Sequence, residues 1–501
     1  KANFYGSDNG ITRGLIFCNR NEEAQKLSEK LNKSGLRTLA LSGNSSDEER
    51  SLAIQKLESD SISQKIDYIL TVNIFNEGID IPKVNQIILL RPTESAIVFI
   101  QQLGRGLRKA DEKSYLTVID FIGNYNNNYL IPIALYGDSS YNKDRLRKLI
   151  SEGSRETPGT STINFDRISK EKIFQSIDNA NMKLLKELKE DYNYLKNRLG
   201  KTPMMMDFIE TKTRDPFLFI EYSRSYFNFV NKVESDKIKI TESASLLLEY
   251  FSKEINNGKR IEESIILEYL INDGETSVLK IQQSILDKFD ISSSINTIQS
   301  AIDNLNFKFI REKQDKKLLS VNKIHKTNLI TINNNKIAPT TQFKESLKED
   351  VFKSFLFDNT LYSVNYFKTN HSKSKWNDGF SLYSKYSRKD VFRILNYAYN
   401  PVAQNVGGYM VNDSKTNCPI FVNYHKEDDI SESTKYEDEF INNSTFSWMS
   451  KSNRKIDSKD VQSILGKHGD IRLPLFIKKN KDQNDFYYMG DVTAIEKSTS
   501  Q

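Results

Sequence analysis

The sequence has little of what cross-links a chain or anchors it in a membrane. Its 501 residues include two cysteines, Cys18 and Cys418, which lie far apart and lack metal-ligand spacing. Neither a disulfide framework nor a zinc cluster is therefore available. Apolar runs stay short of the roughly 18 residues that a spanning helix needs. Residues 1–10 also lack the charged and apolar regions of a secretion signal. We predict a cytoplasmic protein with no membrane partner and no metal site.

The charge balance is weak for a chain of this length. It has 72 basic and 66 acidic residues, a net charge of +6. Residues 1–140 carry a net −1 and residues 340–501 a net +2, so the surplus lies in the middle of the chain. A diffuse surplus of this size is more typical of a solvated helical surface than of a phosphate track. Charge alone therefore assigns no nucleic-acid partner.

Periodicity divides the chain into three regions, which predicts a multidomain protein. Residues 1–140 alternate short apolar runs, such as GLIFC, IDYILTV and QIILL, with amphipathic stretches. This alternation predicts an α/β domain with a parallel sheet covered on both faces. Residues 141–335 show helical periodicity and predict a mainly helical connector. Residues 336–501 have short runs rich in Tyr and Phe, which predict a mixed, mostly β domain.

Inside the connector, two amphipathic helices around a DISS turn predict a helix-turn-helix, and two short strands around REKQDKK would add a wing. Such a winged helix can lie in a DNA groove, but two helices that only pack together give the same pattern. Both interpretations stay open. The polar stretch NKIHKTNLITINNNKIAPTT predicts a linker at the end of the region.

Two segments carry the strongest chemical signal. In NIFNEGIDIP, after a predicted strand, Gly78 lets the backbone approach a ligand and Asp80 offers a carboxylate to a sugar hydroxyl. In QQLGRGLR, Arg105 and Arg108 lie three residues apart on one helical face, with Gln101 one turn before them. Paired guanidinium groups can neutralise charge that develops on a γ-phosphate.

These segments resemble the second RecA-like lobe of superfamily-two helicases. The resemblance covers roughly residues 10–135 and also includes LIFCN and LSGNSSDEER. It implies arginine fingers, a nucleotide cleft and contacts to a nucleic-acid backbone. The residues assigned by this resemblance are Arg105 and Arg108 as fingers, Gly78, Asp80 and Gln101 in the cleft, and Ser42, Gly43 and Thr71 at the nucleic acid.

The resemblance also implies that ATP with Mg²⁺ is bound jointly with a first lobe, which this chain lacks. No GxxxxGK[ST] motif occurs, and LGKT at 199–202 follows a charged helix where a phosphate loop would follow a strand. The chain begins with Lys1, so we expect a piece of a longer enzyme. This piece alone is predicted not to hydrolyse ATP.

More distant segments, among them YSRKDVFRILN, CPIFVNYHK and FSWMSKSNRK, resemble Type IV restriction enzymes similar to SauUSI. That family places a nuclease and a first helicase lobe ahead of the regions seen here. The resemblance implies that residues 336–501 form an SRA-like pseudobarrel that reads modified cytosine in double-stranded DNA. Aromatics beside cations suit a flipped base, and Trp448 and Tyr424 are the candidates. A β core with a basic rim has the same composition.

Two alternatives remain. One is a repair or RNA helicase whose C-terminal module binds without regard to base modification. The other is a nuclease that uses the HxKxxxxD pattern of His371, Lys373 and Asp378. We interpret that pattern as coincidence, because polar residues follow the lysine and no GSxN appears.

Overall fold

The structure is a computed structural model of the chain. It describes residues 10–61, 63–72, 81–92, 96–108, 110, 113–123, 127–138, 141–152, 162–180, 185–371, 375–402, 406–423, 439–442, 444–451, 454–478 and 485–495, apart from the side chains of 96–98, 101, 105, 144, 152, 439 and 440. The chain forms two compact units, residues 1–184 with 211–215, and residues 185–210 with 216–501. In the described part, no helix has the length and apolarity needed to cross a membrane.

The first unit is built on a parallel sheet with the strand order β2-β3-β1-β4-β5. Its strands are β1 (Gly14–Phe17), β2 (Thr38–Ala40), β3 (Tyr68–Thr71), β4 (Gln86–Leu89) and β5 (Thr117–Asp120). Its helices are α1 (Asn21–Lys33), α2 (Asp47–Glu58), α3 (Ala96–Gly106), α4 (Leu130–Tyr136), α5 (Lys143–Glu152) and α6 (Arg167–Asn179). All four strand pairings are parallel. The predicted parallel α/β lobe is therefore confirmed.

Each face of this sheet packs on a core. Successive residues of a strand point to opposite faces, so Leu15 and Phe17 of β1 join one apolar cluster and Ile16 joins the other. Strands β1, β3 and β4 are buried at every position. Continuous burial explains why these strands read as unbroken apolar runs.

The second unit opens with helices. They are α7 (Leu185–Leu199), α8 (Met205–Thr211), α9 (Phe217–Ser223), α10 (Tyr226–Val233), α11 (Glu242–Tyr250), a π-helical turn (Phe251–Ile255), α12 (Glu262–Asn272), α13 (Val278–Phe289), α14 (Ile295–Leu305), α15 (Val321–Ile324), α16 (Thr341–Ser346) and α17 (Asp350–Asn370). The buried carboxylate of Asp358 on α17 accepts hydrogen bonds from the backbone N–H groups of Met205 (2.6 Å) and Met206 (3.1 Å). Burial raises the pKa of Asp358 to about 6.

Short strands complete the helical part. They are β6 (Thr276–Ser277), β7 (Arg311–Gln314), β8 (Lys317–Ser320), β9 (Ile330–Asn333) and β10 (Lys336–Pro339). Strands β7 and β8 form a separate hairpin, while β6, β10 and β9 form one sheet in that order. The predicted linker is therefore wrong, because its residues form β9 and β10 around a tight turn. Asn334 and Asn335 supply the positive φ angles, 49° and 63°, that such a turn needs.

The C-terminal part is mixed α and β. Its strands are β11 (Trp376–Asn377), β12 (Phe380–Ser381), β13 (Lys385–Tyr386), β14 (Ile420–Asn423), β15 (Glu439–Phe440), β16 (Phe446–Ser447), β17 (Leu473–Lys478) and β18 (Phe486–Val492), and its helices are α18 (Arg388–Ile394) and α19 (Lys459–Ile464). The main sheet has the order β13-β18-β17-β14, with β14 parallel to β17 and the other pairs antiparallel.

A buried arginine ties this part to the helices before it. Arg393 on α18 is 2% exposed and donates to the carbonyl groups of Glu254 (2.8 Å) and Ile255 (3.0 Å) at the end of the π-helical turn. It also donates to Asn257 Oδ1 (2.7 Å) and pairs with Asp390 (3.4 Å). These bonds satisfy carbonyls that a helix end leaves without partners.

We expect Arg393→Met to lower the free energy of unfolding by about 3 kcal/mol, because it removes the donor to two buried carbonyl groups and the cation that pairs with the buried Asp390 carboxylate. Differential scanning calorimetry measures the change. Arg198→Met, at an exposed position of α7, is the control and should stay within about 0.5 kcal/mol of the unchanged protein. Equal losses in the two variants would contradict the account of this junction.

Candidate functional site

Because all five strands of the first unit are parallel, their carboxyl ends meet at one edge of the sheet. Ligands of open α/β sheets bind at this edge. Ser42 follows β2, Thr71 ends β3, Arg91 follows β4 and Asp120 ends β5. Two of the sequence-predicted site residues, Ser42 and Thr71, therefore lie on adjacent strands at the same edge.

The turn after β2 is ordered by its own polar groups. The backbone N–H of Ser42 donates to Ser45 Oγ (3.1 Å), and Ser42 Oγ accepts from the N–H of Asn44 (3.3 Å). Arg50 donates to the carbonyl of Gly43 (3.1 Å). Gly43 is exposed, and nothing lies within 4 Å of the position of an added Cβ. The turn thus offers an exposed, shaped stretch of backbone.

Thr71 is placed differently. Its side chain is fully buried, and its Oγ1 has no hydrogen-bond partner among the described residues. Its carbonyl accepts from the N–H of Cys18 (2.8 Å). The contact that the resemblance assigns to Thr71 stays a prediction.

Gly78 and Asp80 fall in residues 73–80, outside the described residues. Two cationic side chains donate hydrogen bonds to backbone carbonyl groups on either side of this segment. Arg91 donates to the carbonyl of Val72 (2.7 Å), and Lys113 donates to the carbonyl of Pro82 (3.0 Å). The two ends of the motif are therefore anchored beside β4 and β5.

Helix α3 carries the second motif. Gly106 at its end lets the helix approach the sheet, because an added Cβ would lie 2.5 Å from Leu116 Cδ1 and 3.0 Å from Ile87 Cδ1. The side chains of Gln101 and Arg105 lie outside the described residues, although their backbone belongs to α3. Arg108 is exposed just beyond the helix.

Lys113 links the segments NIFNEGIDIP and QQLGRGLR, although it is not among the site residues predicted from the sequence. Besides Pro82, its ammonium group donates to the carbonyls of Gly106 and Arg108, the latter at 2.8 Å. A lysine that follows a helix end can cap the last carbonyls. The sequence does place a lysine shortly after the predicted helix, but KADEKSY is also typical of an ordinary charged loop.

Asp120 is a second missed residue. It lies at the carboxyl end of β5, and burial raises its pKa to about 7. Its Oδ2 has no hydrogen-bond partner in the described part of the chain. Perturbed carboxyl groups of this kind cluster at functional sites. An acid inside the apolar run YLTVIDFIG was the available signal.

In the C-terminal part, Trp448 is half-buried and packs edge-on against Tyr409, with ring centroids 5.2 Å apart. Lys451 lies over the same Tyr409 ring at 4.5 Å. Tyr424, the other base-reading candidate, lies outside the described residues. Trp448 therefore combines an apolar contact with a neighbouring cation, and its role in base reading stays a prediction.

The HxKxxxxD pattern does not assemble as a site among the described residues. His371 Nδ1 lies 2.8 Å from Ser381 Oγ, and its Nε2 lies 3.3 Å from the carbonyl of Gly258. Burial, reinforced by the charge of Lys259, lowers the pKa of His371 to about 4. Asp378 is exposed and pairs with Arg472 (3.1 Å). Lys373 lies outside the described residues.

The segment LGKT does not form a phosphate-binding loop. LGKT at 199–202 follows the end of helix α7, where Gly200 has a φ of 66° and Lys201 pairs with Asp207 (3.2 Å). This is a helix end and lacks the strand that precedes a phosphate loop.

Within the described ranges, no three His, Cys, Asp or Glu side chains gather as a metal-binding group.

Comparisons with known proteins agree with the geometry of the first unit. Residues 4–110 match the family described as "Helicase conserved C-terminal domain". Residues 188–372 and 380–501 match two families, each described as "Domain of unknown function", with the designations DUF8090 and DUF3427. The first unit therefore contains the C-terminal lobe of a superfamily-two helicase.

Among curated proteins, the chain is 33% identical over 109 residues to a Saccharomyces cerevisiae protein named as an ATP-dependent helicase, IRC3, covering 22% of this chain and 15% of that protein. It is 31% identical over 110 residues to the ATP-dependent RNA helicase SrmB of Haemophilus influenzae, covering 22% of this chain and 24% of that protein. The chain thus spans less than a quarter of the length of these relatives.

Among solved structures, the chain is similar to the Escherichia coli DEAD-box protein SrmB bound to the regulator RraA, at 21% sequence identity. The match covers 25% of this chain and 69% of that chain, with a TM-score of 0.22. The yeast splicing factor Prp28 matches at 21% identity, over 34% of this chain and 32% of that chain, with a TM-score of 0.24. Scores this low carry no argument about function.

The anchoring role of Lys113 can be tested by hydrogen–deuterium exchange. Lys113→Met removes the donor to three carbonyls, so amides near Pro82 and Gly106 should exchange at least about tenfold faster, equivalent to ~1.4 kcal/mol. Lys26→Met, at an exposed position of α1, is the matched control and should leave these rates unchanged. Unchanged rates in Lys113→Met would show that the lysine anchors neither motif.

Proposed function

We propose that this chain is the second motor lobe, the coupler and the DNA-reading domain of an ATP-dependent, modification-dependent restriction enzyme. One observation supports the assignment of the first unit as a motor lobe. The matched helicase lobe has a parallel sheet, and its motif segments flank or follow the carboxyl ends of neighbouring strands. An edge of this kind presents several loops to one ligand.

ATP with Mg²⁺ would be held between this edge and a first lobe. The groups at hand suit a phosphate, since Arg108 is exposed beyond α3 and Lys113 fixes the backbone around it. Arg105 and Arg108 are the proposed fingers, and Gly78, Asp80 and Gln101 the proposed cleft residues. The full sequence has no GxxxxGK[ST] loop, so the opposite lobe would supply the lysine and the magnesium carboxylates.

Double-stranded DNA is the proposed track. The exposed turn of Ser42 and Gly43 lies at the carboxyl edge, where its backbone can approach a phosphate chain, with Thr71 on the adjacent strand. Hydrolysis would open and close the two lobes, which converts phosphate contacts into movement along the DNA. A nuclease ahead of the lobes would then cleave.

The C-terminal part is proposed to read modified cytosine. Trp448 supports this because its half-buried ring lies beside Tyr409, over which the ammonium group of Lys451 packs. Stacking and a cation are what a flipped base and its phosphate require. The same Trp448 also packs against an apolar core cluster, so a nonspecific module on a repair or RNA helicase is the second candidate. The relative named as an RNA helicase favours that alternative.

In the enzyme that joins this chain to a first lobe, Arg105→Ala should reduce DNA-stimulated ATP hydrolysis by about a thousandfold, because an arginine finger neutralises charge on the γ-phosphate. A coupled phosphate-release assay measures it, and DNA affinity should not change. The control is Arg167→Ala, since Arg167 is exposed on α6 and pairs only one turn away with Glu171 (3.8 Å). Full hydrolysis in Arg105→Ala would contradict the finger assignment.

Base reading predicts that the complete chain binds a duplex with 5-methylcytosine at least about tenfold more tightly than the unmodified duplex, equivalent to ~1.4 kcal/mol. Fluorescence anisotropy at fixed salt measures both affinities, because phosphate contacts make them salt-dependent. Trp448→Ala should abolish the preference, whereas Trp376→Ala, which changes a tryptophan packed on Phe367, should keep it. Equal affinities for the two duplexes would support the nonspecific alternative.

A further inference from the structure

The helical part contains a compact element formed by α12, β6, α13, α14, β9 and β10, and the chain passes through β7, β8 and α15 between α14 and β9. Its sheet has the order β6-β10-β9, and α13 and α14 are the two helices of the turn predicted from the sequence. In a helix-turn-helix, the second helix normally enters the DNA groove with its N-terminal residues. Here that helix is α14.

Charge argues against α14 in this role. Residues 262–305, which span α12 to α14, carry eight acidic and two basic residues. Two of the acids, Glu262 and Glu263, are buried and pair with Arg260, which leaves six acids outside this buried cluster. Helix α14 itself has Asp303 and neither Lys nor Arg. A surface of this sign repels the phosphate chains on either side of a groove. The two basic residues, Lys280 and Lys288, pair with Asp273 and Glu268, both at 2.9 Å.

Packing argues the same way. The first turn of α14 is held at Thr297, whose carbonyl accepts from Arg260 (2.7 Å) and whose Oγ1 accepts from Asn396 Nδ2 (3.2 Å). Arg260 is 3% exposed and also donates to the carbonyl of Arg393 (2.8 Å). One side of the start of α14 is therefore committed to contacts inside the protein.

The hairpin of β7 and β8 has the opposite charge. Residues 311–326 carry six basic and two acidic residues. Five lysines in this stretch are exposed and form no ion pair with any residue that the structure describes. They are Lys313, Lys316, Lys317, Lys323 and Lys326. By contrast Lys336, on strand β10 of the neighbouring sheet, pairs with Glu275 (2.7 Å).

The hairpin is also fixed by contacts at its base and by the geometry of its turn. Its turn is formed by Asp315 and Lys316 with φ angles of 49° and 65°, which matches the twist of a two-residue hairpin. At its base, Glu312 accepts from the hydroxyl of Tyr250 (3.0 Å), and the guanidinium of Arg311 lies 4.7 Å from the ring centre of Tyr399. Each strand of four residues is about 13 Å long, which matches the axial rise of roughly four base pairs of duplex DNA.

We propose that the β7–β8 hairpin, rather than the helix α14, is the element of the coupler that binds duplex DNA, through phosphate contacts of Lys313, Lys316 and Lys317. This rests on the proposed function, because it takes DNA as the track. It adds that the helix-turn-helix is a packing element and that the hairpin beside it binds without sequence preference. Such contacts hold the duplex while the motor lobes move.

The test compares two triple variants of the complete chain that lose the same charge. Lys313→Gln, Lys316→Gln and Lys317→Gln remove the hairpin cations, while Lys280→Gln, Lys288→Gln and Lys336→Gln remove paired cations of the neighbouring element. Exposed pairs contribute little to stability, and circular dichroism with thermal unfolding verifies that both variants fold. Anisotropy titrations with one unmodified duplex at several salt concentrations measure the affinity and its salt slope.

We expect the hairpin variant to bind at least about tenfold more weakly and its salt slope to fall by about three, one per phosphate contact. The paired-cation variant should stay within about twofold of the unchanged chain. Equal behaviour of the two variants, or an unchanged hairpin variant, would overturn the hairpin and leave the proposed function in place. An unchanged chain that binds no duplex would overturn the proposed function and the hairpin together.

Discussion

The structure depends on the parallel register of five short strands. Each strand is too short to be stable alone, and β1, β3 and β4 are buried at every position, so the strands gain their stability by being covered on both faces. Parallel pairing then places every carboxyl end at one edge. That single consequence brings Ser42, Thr71 and Asp120, which are far apart in sequence, to the same side of the lobe.

In the second unit, buried polar groups hold neighbouring helices together. Arg260 and Arg393 are almost fully buried, and their guanidinium groups bond to carbonyl groups at helix ends and to neighbouring side chains. A buried cation without such partners would be strongly destabilising. These contacts therefore join α12, α14, the π-helical turn and α18 into one continuous body, in which the helix-turn-helix is an internal part.

The lobe could be predicted because its strands are unbroken apolar runs and its motifs follow them in order. The anchoring role of Lys113 could not be predicted, because its three carbonyl acceptors come together only in the folded chain. The sequence predicts a linker at the β9–β10 hairpin because the exposed residues of this hairpin are polar. Its buried residues are few, chiefly Ile330 and Ile337. Buried Arg393 also escaped prediction, because sequence patterns place arginine at the surface.

The proposed function requires the carboxyl edge of the helicase lobe to face nucleic acid. Hydrogen–deuterium exchange of the complete chain, with and without a saturating duplex, measures this contact. We expect slower exchange in the segment after β2, residues 41–45, and in the segment after β4, residues 90–92, with no change at the opposite ends of the strands, residues 35–37 and 84–86. Slower exchange confined to those opposite ends, or none in the lobe, would contradict it.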